Sequence, residues 1–303
     1  MVGCIPTIPR TIHDHSESWA NETVTMEPGG RYANTEFVGS PWVGVTYPKS
    51  AEKALEDVAF VNCQFRYGLK WLSRAYRVRQ ILFDQCEFLD VLHEHGIYHD
   101  IAGGMPANDY GSRVGIAISR TAFRNISSQA CQFTSPWDPN LGRMEETSDP
   151  EGDKRHGLGI KLEDVRAENI CAGTGHARAG FCFSFFPTPN DVWMEGVRLD
   201  NRMQTKCEGA FMSHKRATPT SRFRMEHCTF RMGKQLVKPI GQLWDTDNVT
   251  IQDSEFVANE GQTWIDIDRC ARLTLRRCHG NISVHRDGVD MGPIENIDLD
   301  ESE

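Results

Sequence analysis

Nine segments of this chain align residue for residue, and no other feature of the sequence limits the fold as strongly. Eight are complete: VAFVNCQF (58–65), ILFDQCEF (81–88), IAISRTAF (116–123), IKLEDVRA (160–167), VWMEGVRL (192–199), FRMEHCTF (223–230), VTIQDSEF (249–256) and LTLRRCHG (273–280). The ninth, YANTEF (32–37), lacks the first two positions. The first and third residues are apolar, as in Val58 and Phe60 or Ile81 and Phe83, which is the two-residue period of a half-buried strand. The fifth breaks the alternation. It is Asn34, Asn62, Asp164, Gly196, His227 or Asp253 in six copies, residue types that accept a left-handed backbone, so a bend belongs there. The sixth is always small (Thr35, Cys63, Cys86, Thr121, Val165, Val197, Cys228, Ser254, Cys278), and the eighth is usually large and apolar (Phe37, Phe65, Phe88, Phe123, Leu199, Phe230, Phe256). Between them Glu36, Gln64, Glu87, Arg166, Arg198, Thr229 and Glu255 point to water.

A strand, a bend that keeps register and a second short strand, repeated along the chain, predict a parallel β-helix. Successive coils lie about 4.8 Å apart, so each column becomes a ladder of equivalent environments. On these columns the chain resembles the right-handed parallel β-helix, or pectate-lyase-like, superfamily over roughly residues 30–285. The expected fold is an all-β, right-handed parallel β-helix solenoid of about nine to ten coils, with an N-terminal cap and loop insertions on one flank. Polygalacturonase-like members of that superfamily pair aspartates in NTD, DD and GHG motifs with RIK, and calcium-dependent pectate lyases carry acidic clusters and an arginine motif. None stands here, and the nearest approach is TGHARAG (174–180), so no family catalytic residue transfers.

Composition narrows the function classes. A 303-residue chain can bury a substantial core. Its formal charge of −9 argues against a general nucleic-acid surface, so an anionic ligand needs a local basic patch. No run of about 18 apolar residues is present to cross a bilayer, so no membrane partner is expected. The start, MVGCIPTIPRTIHDHS, lacks the apolar core of a secretory signal, which leaves the compartment open, extracellular or virion-associated where a signal is removed or not needed. The ten cysteines show no CxxC or CxxH spacing. Cys63, Cys86, Cys228 and Cys278 read as small apolar fillers, with Cys63 and Cys86 the one neighbouring pair within disulfide reach, and Cys131 and Cys182 behave likewise.

Spacings between eighth positions run 28, 23, 35, 44, 32, 31, 26 and 24, so the minimal coil is 23 or 24 residues and the excess falls in the middle. It follows a further strand that starts near a glycine: GLKWL (68–72), GIYHD (96–100), GFCFSFF (180–186) and GAFMS (209–213). The insertions at 102–113, 135–159, 187–191 and 214–221 then leave the solenoid at one corner and wall a groove on one flank. Aligned on their glycines, these strands place Lys70, Tyr98 and Gln132 on the groove floor, with Ile97 inward beside Leu69 and His99 inward beside Trp71. Tyr110 and Trp137 in the insertions offer rings to stack on sugars.

The densest polar stretch, VLHEHGIYHD (91–100), supplies the candidate chemistry. β-Elimination from a uronate needs a group to neutralise the carboxylate, a base for the C5 proton and an acid for the leaving oxygen. Lys70, Tyr98, Asp100 and His95 are the candidate catalytic residues; Arg74, His93 and Gln132 beside them, with His214, Lys215 and Arg216 farther along, are candidate substrate-binding residues. Asp100, Asp109 and Asp245 are the carboxylates available for a hydrolytic pair. His93–Glu94–His95 sits in a turn and lacks the i, i+4 spacing of helical zinc motifs, so no metal site is assigned. No cofactor is expected; the acidic loop EETSDPEGD (145–153) is the one calcium candidate, and it departs from the EF-hand spacing.

Residues 1–30 form the expected cap, with a short helix around SESWANET, 31–285 the solenoid and 286–303 an acidic tail that a subunit contact could hold. Two functions follow. One is a carbohydrate-active protein that binds or cleaves an acidic or decorated polysaccharide as a lyase or hydrolase. The other is a non-catalytic virion spike or decoration subunit, assembled as a homotrimer.

Overall fold

In the computed structural model, each copy of the repeat turns the chain through one coil. The structure describes residues 11–14, 24–38, 43–48, 50–51, 54–101, 114–134, 137–138, 143–144, 159–172, 180–185, 191–204, 207–214, 222–233, 239–258 and 264–301. The first half of each repeat lies in one parallel sheet, from Arg31–Ala33 through Val58–Val61 and Ile81–Asp84 to Arg272–Arg276 (sheet one). The second half lies in another, from Thr35–Val38 through Gln64–Gly68 and Glu87–Val91 to His279–Gly280, preceded by Thr11–Asp14 (sheet two). A third strand closes the coil, from Val24–Thr25 and Val43–Tyr47 to Ser283–Arg286 (sheet three). The result is a parallel β-helix.

The bend between sheets one and two is left-handed in all nine copies, with φ between 49° and 63° at Asn34, Asn62, Gln85, Arg120, Asp164, Gly196, His227, Asp253 and Arg277. Gln85, Arg120 and Arg277 adopt this backbone although their residue types give no signal for it. A second left-handed column stands two residues beyond the eighth position, at Tyr67, Asp90, Asn125 and Asn169 (φ 54–61°). There the amides join rung to rung, Asn169 Nδ2 donating to Asn125 Oδ1 (2.7 Å) and Asn125 Nδ2 to Asp90 Oδ1 (2.8 Å).

Inside, the eighth-position residues stack in register. Phe37, Phe65, Phe88 and Phe123 have ring centroids 4.8, 4.6 and 4.9 Å apart, near the strand spacing itself. The third-position rings of Tyr32, Phe60 and Phe83 form a parallel ladder that meets this one edge to face, as at Phe60–Phe65 (5.4 Å, 67°). The small sixth-position residues are all buried. Facing outward at the seventh, Arg166 and Arg198 are exposed, but Glu36 is buried against the guanidinium of Arg66 one coil on, a correction to its expected solvent position. All nine described cysteines are free and buried, Cys63 and Cys86 included; each of those two donates to backbone carbonyls.

The glycine alignment of the third strand needs one correction. Gly96 precedes Ile97–Ile101, and Gly180 precedes Phe181–Phe185, as expected. Gly68 instead ends Gln64–Gly68 and pairs with Val91, so the neighbouring strand is Trp71–Val78. Its register places Ser73, Arg74 and Ala75 beside Ile97, Tyr98 and His99. Lys70 therefore lies in the turn and Arg74 takes its place on the rung, while Trp71 is half-buried and not the inward partner of His99.

The intervals 102–113, 135–158, 186–190 and 215–221 each fall between a sheet-three strand and the next sheet-one strand, at one corner. The expected short helix around SESWANET (16–23) and the acidic loop 145–153 lie outside the described residues. At the far end the chain covers its own stack. Val289–Pro293 turns back antiparallel on Ser283–Arg286, and Leu299–Asp300 lies antiparallel on Arg272–Arg276, which ends both parallel edges. Glu301 accepts from Arg286 Nη1 (2.7 Å) and from the Leu273 amide (3.0 Å), so contacts within the chain hold the acidic tail.

The bend column makes the first prediction. Gln85→Asn keeps or slightly raises stability, because asparagine accepts the left-handed backbone, whereas Gln85→Val lowers it by about 1–2 kcal/mol. Urea-unfolding midpoints of the two variants check the difference.

Candidate functional site

On the outer face of sheet three, coils two to four bring together most of the described sequence candidates. Arg74 and Asp100, on neighbouring rungs, form a two-pronged ion pair: Nη2 to Oδ2 at 3.0 Å and Nη1 to Oδ1 at 3.2 Å. Both are buried. The Arg74 guanidinium lies between the rings of Tyr76 (3.9 Å) and Tyr98 (4.0 Å) and also donates to the Tyr98 carbonyl (3.0 Å). Thr134 Oγ1, one coil on, donates to Asp100 Oδ1 (2.6 Å). The rung order is Arg74, Tyr98, Gln132, so Tyr98 and Gln132 do share the floor.

Around this pair the rings form a half-buried plate. Trp71 and Tyr98 are 6.1 Å apart, the Lys70 ammonium stands 4.5 Å from the Trp71 ring, and His95 stacks on Tyr98 at 5.2 Å. His95 Nε2 bonds Gln129 Oε1 (2.7 Å) and its Nδ1 lies 3.3 Å from Glu94 Oε2, an approach that holds the Glu94 carboxyl below its usual range. Burial raises the Tyr98 phenol, with Arg74 opposing. Inside the strand, His99 is fully buried between Phe83 and Phe133, and its Nε2 meets Ser73 Oγ at 2.9 Å.

Other candidates do not join this group. His93 is exposed in the preceding turn. Tyr110, Lys215 and Arg216, and the side chains of Trp137 and His214, lie outside the described residues, as does Asp109. Asp245 belongs to coil seven, where it accepts from Arg269 Nη2 (2.8 Å). It stands four coils from Asp100, on the order of 19 Å at the rung spacing, too far for a hydrolytic carboxylate pair.

Asp100 is neutralised by Arg74 and receives Thr134 as well, and both His95 nitrogens have neighbours. The patch is thus a mostly self-neutralised aromatic surface with Lys70 and Gln132 at its margin. It can stack on a sugar face and donate hydrogen bonds.

A second surface was not found from the sequence. The outer face of sheet two carries an open groove of about 520 Å³, lined among others by Arg124, Arg166, Arg198, Arg231, Glu168 and Asp200. Arg166 and Arg198 are direct neighbours on adjacent rungs, and neither has an ion pair among the described residues. The nearby carboxylates have other partners: Glu168 lies 3.9 Å from Arg124, and Asp200 is bound by Arg202 (2.5 Å). The seventh column held the signal, two consecutive arginines at a position the repeat sends outward.

Two outcomes separate packing from chemistry. Asp100→Ala leaves Arg74 buried without its counter-charge and lowers stability by about 3–5 kcal/mol, while Arg74→Leu with Asp100→Leu costs much less; chemical denaturation of the three proteins checks this. Burial pushes His99 down to about 3. The unfolded chain, titrating near 6.5, binds the extra proton between those values, so this contribution is complete above about pH 6.5 and is lost as pH falls toward 3, at about 1.4 kcal/mol per unit. His99→Gln flattens that part of the stability curve, measured by urea unfolding between pH 7 and pH 4.5.

No family model matches this chain, and neither a curated protein nor a solved structure is significantly similar to it.

Proposed function

We propose that this chain is a pectate-lyase-like β-helix that binds an acidic polysaccharide along the outer face of sheet two. The observation that supports this reading is the Arg166–Arg198 step, two like charges on adjacent rungs with no described counter-ion. Like charges directly opposite one another destabilise a sheet, and their field is strongest where no carboxylate neutralises it. A polyanion laid across the rungs relieves that repulsion, while Arg124 and Arg231, which also line the groove, are paired with Glu168 and Glu255. Guanidinium groups suit carboxylate and sulfate because their donors form a planar fork. The chain's net charge of −9 makes this patch a local exception, which favours a specific anionic ligand over general attraction.

Binding is favoured over turnover. Of the candidate catalytic residues, Asp100 is tied to Arg74, and His95 is bonded through Nε2 to Gln129 with Glu94 beside its Nδ1, so both are engaged within the fold. The Trp71–Tyr98 plate supplies a second, stacking surface for the same class of ligand.

Affinity electrophoresis in gels containing a polyuronate, a sulfated glycan or a neutral glucan tests this. Retardation is expected in the first two only, and it weakens as salt is raised. Arg166→Ala with Arg198→Ala reduces affinity at least tenfold, about 1.4 kcal/mol. Equal retardation by neutral glucan, or binding indifferent to both arginines, overturns the groove assignment. Loss of binding on Trp71→Ala alone moves the site to sheet three. New unsaturated or reducing ends, lost in Lys70→Ala or Tyr98→Phe, would restore the lyase or hydrolase reading.

A further inference from the structure

Cys171, Cys182 and Cys207 come from three separate stretches of coils five and six and meet at the corner between sheets two and three. Their sulfurs all lie within 4.8 Å of one another, and the residues are 2 %, 0 % and 2 % exposed. Cys182 Sγ and Cys207 Sγ are 3.3 Å apart. The Gly180 carbonyl oxygen faces the same point, 3.4 Å from Cys171 Sγ and 3.3 Å from Cys207 Sγ. Among the described residues no other three His, Cys, Asp or Glu side chains converge this way.

The surroundings are arranged for sulfur as well. Asn201, 1 % exposed, closes the corner from coil six. Its Oδ1 accepts from the Ile170 amide (2.8 Å), which turns Nδ2 toward Cys182 Sγ at 3.6 Å. An amide fixed in this way donates to a ligand sulfur and stabilises its negative charge. The backbone that carries the sulfurs is tied into the solenoid: the Cys171 amide donates to Ser128 O (2.9 Å), and the Glu208 amide to Gly180 O (3.0 Å).

We propose that Cys171, Cys182 and Cys207 form a binding site for a soft, thiophilic metal cation of the zinc(II), cadmium(II) or copper(I) class. A metal–sulfur bond of about 2.3 Å places sulfurs roughly 3.8 Å apart in a tetrahedron and roughly 4.0 Å apart in a trigonal plane. The observed separations, from 3.3 Å to at most 4.8 Å, bracket both, so small side-chain rotations reach either. Three sulfurs with no carboxylate or imidazole select against hard cations such as magnesium and calcium. On binding, each thiol gives its proton to solvent and its electron pair to the cation. A divalent ion with three thiolates keeps one negative charge, which the Asn201 amide faces. Zinc or cadmium can take the Gly180 carbonyl as fourth donor; copper(I) needs only the three sulfurs. The bound ion would staple coil five to coil six.

The test titrates the fully reduced chain with Cd(II), Zn(II) and Cu(I), following the ultraviolet thiolate-to-metal band and the thermal midpoint. One equivalent bound, a raised midpoint and three sulfur scatterers by X-ray absorption are expected. Cys171→Ala, Cys182→Ala and Cys207→Ala each weaken binding at least tenfold, while Cys131→Ala and Cys228→Ala do not. Should the cluster variants fail to fold, the stoichiometry and scatterer count on the unaltered chain still decide. No band with a folded, reduced protein, a band that survives the three cluster substitutions, or fewer than three sulfurs around the ion would overturn the proposal. So would ready oxidation of Cys182 and Cys207 to a disulfide with no metal uptake after reduction.

Discussion

The solenoid depends on one backbone event repeated in every coil, a single left-handed residue between sheets one and two. Without it the first strand would run straight on and the eighth-position side chain would never turn inward. The chain reaches this conformation by different means. Asparagine, aspartate and glycine adopt it readily, whereas Arg120 and Arg277 carry a cost on the order of 1–2 kcal/mol. Each of those arginines forks onto an aspartate one rung back, Arg120 onto Asp84 (2.9 and 2.5 Å) and Arg277 onto Asp253 (2.6 and 2.7 Å). Such exposed pairs contribute about 0–1 kcal/mol, too little to create the bend. Register imposes it: strands on both sides are already paired to the preceding coil, and the corner residue conforms.

This explains how much of the fold was legible. Columns one, three, six and eight announce themselves because the interior admits only certain sizes, and the phenylalanine ladder follows from that constraint. The third strand was harder to place, since its marker was a glycine, and glycine signals crowding without naming its neighbour. At Gly96 an added Cβ would meet the Ala130 carbonyl at 2.7 Å, while at Gly68 it would meet the Leu72 side chain at 2.8 Å. Two crowded corners of different rungs thus look alike in sequence. That likeness points to Lys70 for the floor, whereas Arg74 holds the position.

The two outer faces handle charge in opposite ways. On sheet three a guanidinium and a carboxylate on neighbouring rungs satisfy each other, and the surrounding rings fix the guanidinium from both sides. A single sequence cannot show this, because Arg74 and Asp100 are 26 residues apart and become neighbours only when the register is right. On sheet two the repeat does bring like charges together in plain view, yet only the structure shows that Glu168 and Asp200 are engaged elsewhere. An outward column becomes a binding surface when its neighbours fail to neutralise it, and that depends on diagonal contacts the columns do not encode.

The cysteines mark the limit of ladder reasoning. Within a column each thiol occupies its own small pocket, as Cys228 does when it donates to the Met194 and Glu226 carbonyls (3.4 and 3.2 Å). A filler of that kind is interchangeable with the threonine, valine or serine found at the same position in other coils. Cys171 and Cys207 belong to no such column; they lie at corners between strands, where coil length varies and no equivalent residue recurs. Cys182, although on a strand, points to that same corner. Filling space alone calls for one small side chain per pocket. Three sulfurs sharing one pocket, with an oriented amide and a backbone carbonyl facing them, meet a requirement that packing does not impose.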